Sequence, residues 1–221
     1  MITLIIIGSI FVIYHMLYFS GLLAVFRNST WSNEPNIKEG EIVITTNLIS
    51  PKPGDFVSYR FKYPDSLHSH YRIHRLVAVE NDILEIKDGV LFINGKNFDN
   101  KYALAHEYKI SIEEFNKFDV IRREVGEDYW WMKPQDTISK FIDDRVAEKL
   151  NLKKRKVVDA ASKLNQTIKA MYGQNWSKDN FGPFKIPLGK VFIMGDNRDQ
   201  SEDSRYIGPI EKSALKGVLI E

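Results

Sequence analysis

The hydrophobic pattern of the chain changes character three times. From residue 2 to 26 it has almost no polar interruption: ITLIIIGSIFVIYHMLYFSGLLAVF contains no Asp, Glu, Lys or Arg. At ~1.5 Å per residue such a run reaches about 37 Å as a helix, enough to cross a bilayer core of ~30 Å with some tilt. A cleaved leader needs a basic start, a shorter apolar run and a small-residue cleavage site. None is present, so residues 1–27 read as a retained transmembrane anchor in preference to a core helix. Arg27 is the only flanking cation besides the amino terminus, and charge therefore orients the anchor poorly. His15 reads as a neutral ring on a helix face.

After Arg27 the period drops to two. GEIVITT (40–46) and GDFVSYRF (54–61) each open on Gly–acid and continue into β-branched or aromatic residues, as strands entered from turns do. In ILEIKDGVLFING (83–95) two alternating runs flank Asp88-Gly89, the pair that a type I′ hairpin prefers. GKVFIM (189–194) and KGVLIE (216–221) supply further strands. The pattern predicts a mainly β domain in two parts, 28–98 and 179–221. Between them, residues 99–178 read as a variable, largely helical insertion, from the spacing of Phe141, Ile142, Val146, Leu150 and Leu152 and the surrounding helix formers. KKRK (153–156) reads as a solvated helix face, with anionic lipid headgroups as the alternative partner. YWWM (129–132) reads as core or as an amphipathic rim at a membrane interface.

Composition narrows the classes. The chain has 221 residues, enough for one compact domain and an appendage, and its net charge of +2 gives no bulk argument for a nucleic-acid partner. The absence of cysteine removes disulfides and thiolate metal sites and fits either redox compartment. His68, His70 and His74 in HSHYRIH would share a strand face as zinc ligands do, but the segment before Tyr71 reads as a loop. DNRDQSED lacks the sixth-position Gly and the twelfth-position Glu of a calcium loop. No metal and no cofactor are expected.

The stretch TWSNEPNIKEGEIVI (30–44) places Ser32 in a polar loop three residues before Pro35, which alone reads as a turn. Three downstream segments change that: PKPGDFVSYRFKYP (51–64), YRIHRLVAVENDILEIKDGVLFINGK (71–96) and DNFGPFKIPLGKVFIMGDNRDQSEDSRYIGPI (179–210). In this order the four resemble the boxes of the type I signal (leader) peptidases, S26-like membrane-anchored serine endopeptidases that remove leader peptides from exported proteins. The first box matches at Thr30, Ser32, Pro35 and Gly40-Glu41, with Asn33 where the family has Met and Asn36 where it has Thr. His74-Arg75 stands where most bacterial members have Lys-Arg; eukaryotic and archaeal relatives also use histidine there.

The resemblance implies a signal-peptidase-like β-rich catalytic domain in which Ser32 is the nucleophile and His74 the general base. A lysine base must fall about three pKa units, ~4 kcal/mol, to be neutral near pH 7, whereas histidine starts near 6.5. An ascending pH limb between about 6 and 7.5 is therefore expected. The imidazole needs one nitrogen within hydrogen-bonding reach of Ser32 and a partner for the other. The family's supporting positions match Ser201 and Asp203, with Asp203 the expected orienter and Asp196 second. The Ser32 main-chain N–H and the Thr30 hydroxyl would hold the oxyanion. Pro35, Arg75, Gly195, Asp196, Asn197, Arg198, Ser204 and Arg205 fall at structural positions near the site.

Substrate would add as a strand beside the segments flanking Ser32 and His74, with small side chains of the Ala-x-Ala type in two shallow pockets. Trp31, bulky where the family often has glycine, would alter those pockets or dip toward lipid, and Asn33 would remove apolar surface beside the site. The implied partners are signal-peptide-bearing preproteins, the lipid bilayer and the protein export machinery. The implied location is the cytoplasmic (inner) membrane, single-pass, with the catalytic domain on the extracytoplasmic side. A peptidase dedicated to one exported substrate is the alternative within the class. A catalytically inactive assembly or docking factor is the alternative outside it, disfavoured by retention of both a serine and a titratable base. A self-cleaving repressor of the related Ser/Lys fold is disfavoured by the apolar span and the lack of a DNA-binding segment.

Overall fold

The computed structural model describes residues 2–19, 22–117 and 136–220, so YWWM lies outside the described residues. Helix α1 (Ile2–Phe19) is followed by strand β1 (Leu23–Arg27). Of the 1–27 stretch read as an anchor, Ile2–Phe19 is helical and Leu23–Arg27 is strand. Leu23–Arg27 instead pair with β2 (Ile42–Thr46), from Leu23↔Thr46 to Arg27↔Ile42. An 18-residue helix rises about 27 Å. Among the described residues no helix is long and apolar enough to cross a membrane. Among its described side chains, Ile5, Ile6, Ile7, Ile10 and Val12 are exposed.

The domain is built on a seven-stranded sheet ordered β1-β2-β13-β3-β4-β11-β12, with β3 (Phe56–Phe61), β4 (His70–Val79), β11 (Lys190–Met194), β12 (Ile210–Glu211) and β13 (Leu215–Ile220). Every neighbouring pair in it is antiparallel. A second sheet, β10-β5-β6-β7, combines β5 (Ile83–Lys87), β6 (Val90–Ile93), β7 (Lys96–Asn97) and β10 (Phe181–Lys185). Asp88 and Gly89 join β5 to β6 with φ of 48° and 78°, both positive as a type I′ turn requires.

The main core lies between the sheets. Val77, Ala78 and Phe192 meet Leu84, Ile86, Leu91 and Phe181, all buried, each large side chain contributing roughly 1.5–3 kcal/mol of burial. A second cluster, with Val57, Tyr59, Leu76, Ile193 and Val218, covers the other face of the large sheet.

Among its described residues the insertion is not largely helical. Its centre is an antiparallel pair, β8 (Ala105–Ser111) with β9 (Thr137–Asp143), carrying two short helices, α2 (Ile112–Lys117) and α3 (Asp144–Lys149). A third, α4 (Gln166–Tyr172), packs Ile168 into the main core. Phe141 and Ile142 lie on β9, and the helical period begins only after Asp143, whose side chain accepts from the Arg145 N–H at 2.8 Å as an N-cap. Tyr108, Ile110, Phe115, Ile142, Ala147 and Leu152 form a separate small core. KKRK forms one 3₁₀ turn over Lys153–Arg155, where Lys153 pairs with Glu148 and Arg155 with Glu114 at 2.7 Å. The pair docks on the segment after β11: Ala105 N–H donates to the Asp196 carbonyl at 3.0 Å and Arg198 N–H to the Ala105 carbonyl at 2.9 Å.

Candidate active site

Ser32 sits in a loop pinned by Asn28. The Asn28 side-chain amide donates to the carbonyls of Thr30 and Lys38, both at 2.9 Å, and its main chain closes on Gly40 and Glu41. Within the loop, Asn36 and Ile37 N–H both donate to the Asn33 carbonyl at 3.0 Å. Pro35 follows Glu34 through a cis peptide. The Ser32 side chain turns to Thr30, with 2.9 Å between the two hydroxyls.

Asn33 faces inward. It is 1% exposed and its amide donates to the Ile73 carbonyl at 2.7 Å, one residue before His74. The expected loss of apolar surface beside the site is therefore not its main effect; Asn33 ties the serine loop to β4. Its Oδ1 is buried without a partner. Trp31, the expected modifier, is 52% exposed.

The segment after β11 closes the site from the other side. Asn197 N–H donates to the Ser32 carbonyl at 3.0 Å. Gly195 allows this approach: a Cβ there would lie 2.3 Å from Ser201 Oγ and 2.4 Å from the Ser32 carbonyl oxygen. Buried ion pairs fix the surroundings. Arg75 grips Asp196 through two bonds of 2.8 and 2.6 Å, and Asn36 donates to the same carboxylate at 2.5 Å. Arg198 pairs with Asp99 at 2.9 and 2.5 Å. Asp203 caps helix α5 (Ser204–Ile207), accepts from Gly195 N–H at 3.1 Å and receives two bonds of 2.9 Å from Arg205. Ser204 Oγ accepts from Ile193 N–H at 3.0 Å. Such pairs are costly to break singly, since the remaining partner is a buried unpaired charge.

His74, on β4, is 4% exposed. Its Nδ1 lies 2.8 Å from the Tyr59 hydroxyl and its Nε2 3.4 Å from Ser201 Oγ. Neither Asp203 nor Asp196 hydrogen-bonds the ring. Both carboxylates are saturated by arginine, and Tyr59 occupies the orienting place expected of Asp203. Nor does Ser32 hydrogen-bond His74, since its hydroxyl is engaged with Thr30. The two residues nevertheless line one cavity of ≈ 300 Å³, together with Thr30, Phe26, Arg72 and Glu202. His68, in the loop before β4, and His70, the first residue of β4, are exposed and do not line the cavity.

The family profile described as "Signal peptidase, peptidase S26" matches residues 1–220. The chain belongs to the signal peptidases. Signal peptidase I P of Bacillus subtilis subsp. natto is 28% identical over 209 residues, covering 89% of this chain and 80% of that protein. Signal peptidase I of Aquifex aeolicus is 26% identical over 201 residues, covering 84% and 70%. The crystal structure of a signal peptidase I from Enterococcus faecalis V583 overlaps 78% of this chain and 98% of that one, at 18% identity and a TM-score of 0.36, too loose to bear on the site.

For a signal peptidase with histidine at this position, the protonation state of the ring is the decisive electrostatic quantity. Burial drives the His74 pKa down from 6.5 to about 4; Asp203 pulls it up, while Arg72 and Arg205 push it down. Burial thus points below the expected 6–7.5 window, which assumed little desolvation. Burial also raises the Asp203 carboxyl, but Arg205 outweighs it and holds Asp203 below the usual carboxylate range. Tyr59 is pushed well up by burial and stays a neutral phenol. Tyr59 was not singled out in the sequence because its contact with His74 depends on strand register. Val57 pairs with His74 and Tyr59 with Arg72, which makes Tyr59 the diagonal neighbour of His74 on one face.

Proposed function

We propose that this chain is a serine endopeptidase that removes signal peptides from exported proteins, with Ser32 as nucleophile and His74 as its base. The observation that carries the reading is the shared cavity: Ser32, Thr30 and a buried, neutral imidazole all open onto it.

The chemistry needs one rearrangement. The Ser32 hydroxyl turns from Thr30 toward His74 Nε2 as substrate arrives, a staggered χ1 change within an open cavity. Ser32 Oγ then attacks the scissile carbonyl and its proton passes to Nε2. The Ser32 N–H and the Thr30 hydroxyl, freed from Ser32, donate to the oxyanion, a single such donor contributing ~3 kcal/mol. Collapse expels the amine, which takes the proton from the imidazolium. Water, deprotonated by the same ring, releases the leader carboxylate and restores Ser32. A neutral base across the physiological range suits this sequence.

An extended substrate with small side chains near the cut fits a cavity bounded by β4 and the serine loop, and the exposed Trp31 lies in sequence between two lining residues, Thr30 and Ser32. The reading also puts α1 in the cytoplasmic membrane as a single anchor with the domain outside. Two features support lipid contact. α1 is apolar around its circumference, and β1, β2 and β13 carry an exposed row, Val25, Ile44 and Ile220, with Ile42 beside it. Alkaline extraction of membranes is expected to leave the full chain in the pellet; release into the supernatant contradicts the anchor.

The test of the activity is cleavage of a signal-peptide-bearing preprotein by the purified chain. Ser32→Ala and His74→Ala are each expected to lower turnover by at least about 10³-fold. Full turnover by either variant would contradict its assigned role, and no cleavage by the unsubstituted chain would favour the docking-factor reading.

A further inference from the structure

We propose that Tyr59 is the positioning partner of His74: its hydroxyl oxygen accepts the Nδ1–H and so turns the Nε2 lone pair toward Ser32. The inference rests on His74 being the base.

The two ends of the ring have different surroundings. Nδ1 is 2.8 Å from the Tyr59 hydroxyl, and the two rings lie 5.9 Å apart at 36°. Nε2 points to Ser201 Oγ at 3.4 Å, and the same Ser201 Oγ converges with the Ser32 carbonyl on the space above Gly195. The Nε2 end is therefore the end that faces the nucleophile. A neutral imidazole has one N–H and one lone pair. If Nε2 is to take the Ser32 proton, the hydrogen sits on Nδ1, and the atom within reach of it is the Tyr59 oxygen.

Tyr59 is well placed for this. It is 0% exposed within the core of the large sheet and locked by its neighbours on β3 and β4, so the ring it holds cannot swing. The charged groups around His74 are Arg72 on the same strand, Glu202 in the loop before α5, and Asp203 and Arg205 at α5. Asp203, the one buried carboxylate among them, is committed to Arg205 and the Gly195 N–H and reaches the ring only through its field. A neutral oxygen thus stands where a Ser-His-Asp triad has a carboxylate. It fixes the tautomer and stabilises the imidazolium less than a charge does.

The test combines Tyr59→Phe with ¹⁵N NMR of His74 in the full-length protein, the His74 signals assigned by their loss in His74→Gln. In the unsubstituted protein near pH 7, Nδ1 is expected to be pyrrole-type and Nε2 pyridine-type. Tyr59→Phe, close to isosteric, is expected to lower kcat about 10- to 100-fold with KM within about twofold. It is also expected to lower the ring pKa further, because a charged N–H loses its acceptor. A pyridine-type Nδ1, or a ring pKa that rises in Tyr59→Phe, means that the phenol donates to Nδ1 and overturns the proposal. An unchanged kcat and pKa overturns it too. Failure of the base assignment shows separately, as cleavage retained in His74→Ala, while the NMR result stands by itself.

Discussion

The side-chain amide of Asn33 donates to the main-chain carbonyl of Ile73 at 2.7 Å, joining the loop that bears Ser32 to the strand that bears His74. This bond acts as a strut between nucleophile and base, alongside the Asn197 N–H to Ser32 carbonyl bond that ties the same loop to the segment after β11. Asn33→Ala leaves the Ile73 carbonyl unsatisfied and is expected to cost about 1–3 kcal/mol of stability. It should also lower kcat about tenfold, since small misplacements of reacting groups are costly. Asn33→Asp, which sets a carboxylate against a carbonyl, should be worse on both counts. Thermal unfolding and steady-state cleavage read the two effects; an Asn33→Ala chain with unchanged kcat would show that the strut is dispensable.

Thr30 contacts the Ser32 hydroxyl in the resting site and is assigned to the oxyanion during turnover. Thr30→Val keeps the shape and removes the donor, so kcat should fall about 10²-fold with KM little changed, and Thr30→Ser should recover most of it. A loss confined to KM would place Thr30 in ground-state binding instead.

At Gly195 the space a side chain needs is already filled by Ser201 and by the Ser32 backbone. The backbone cannot give way as a flexible side chain could. Gly195→Ala should therefore destabilise by roughly 1–3 kcal/mol or more and push the serine loop away from Ser201. Unfolding in denaturant measures the first, and cleavage by the folded fraction the second.

His74 links stability to pH. Its folded pKa, about 4, lies below the unfolded value of 6.5. Between these values the unfolded chain binds a proton that the folded chain does not, so stability falls as pH drops through that window, by about 3 kcal/mol in all. The buried His106 is also shifted down, chiefly by burial, and adds loss of the same sign. Unfolding in denaturant at pH 7 and pH 5 should show the loss, and His74→Asn should reduce the difference without abolishing it. An undiminished difference in that variant would assign the acid sensitivity elsewhere.

Much of this was legible in the sequence, and the misses share a cause. Alternating runs and Asp88-Gly89 predict β2, β3, β5, β6, β11 and β13, because each carries its own period or turn. The run LLAVF carries no period, so nothing local separates the end of a helix from β1; that choice is made by β2, whose partner groups β1 satisfies. Phe141 and Ile142 fit a helical count by coincidence, although Asp143 as an N-cap is a signal that the helix starts later. Ser32 and His74 were identified through the four family-like boxes, more than forty residues apart, and the fold brings them to one cavity. Tyr59 and Asn33 act across strand and loop pairings that residue order alone does not encode.

The most direct test of the account is the pH dependence of kcat/KM for cleavage of a signal-peptide-bearing substrate, followed from pH 4 to 10 with folding checked at each point. A buried imidazole base with a pKa of about 4 predicts near-full activity at pH 5.5 and an ascending limb below it. An ascending limb between about 8 and 9, where a perturbed amine would titrate, would contradict His74 as the group that takes the Ser32 proton.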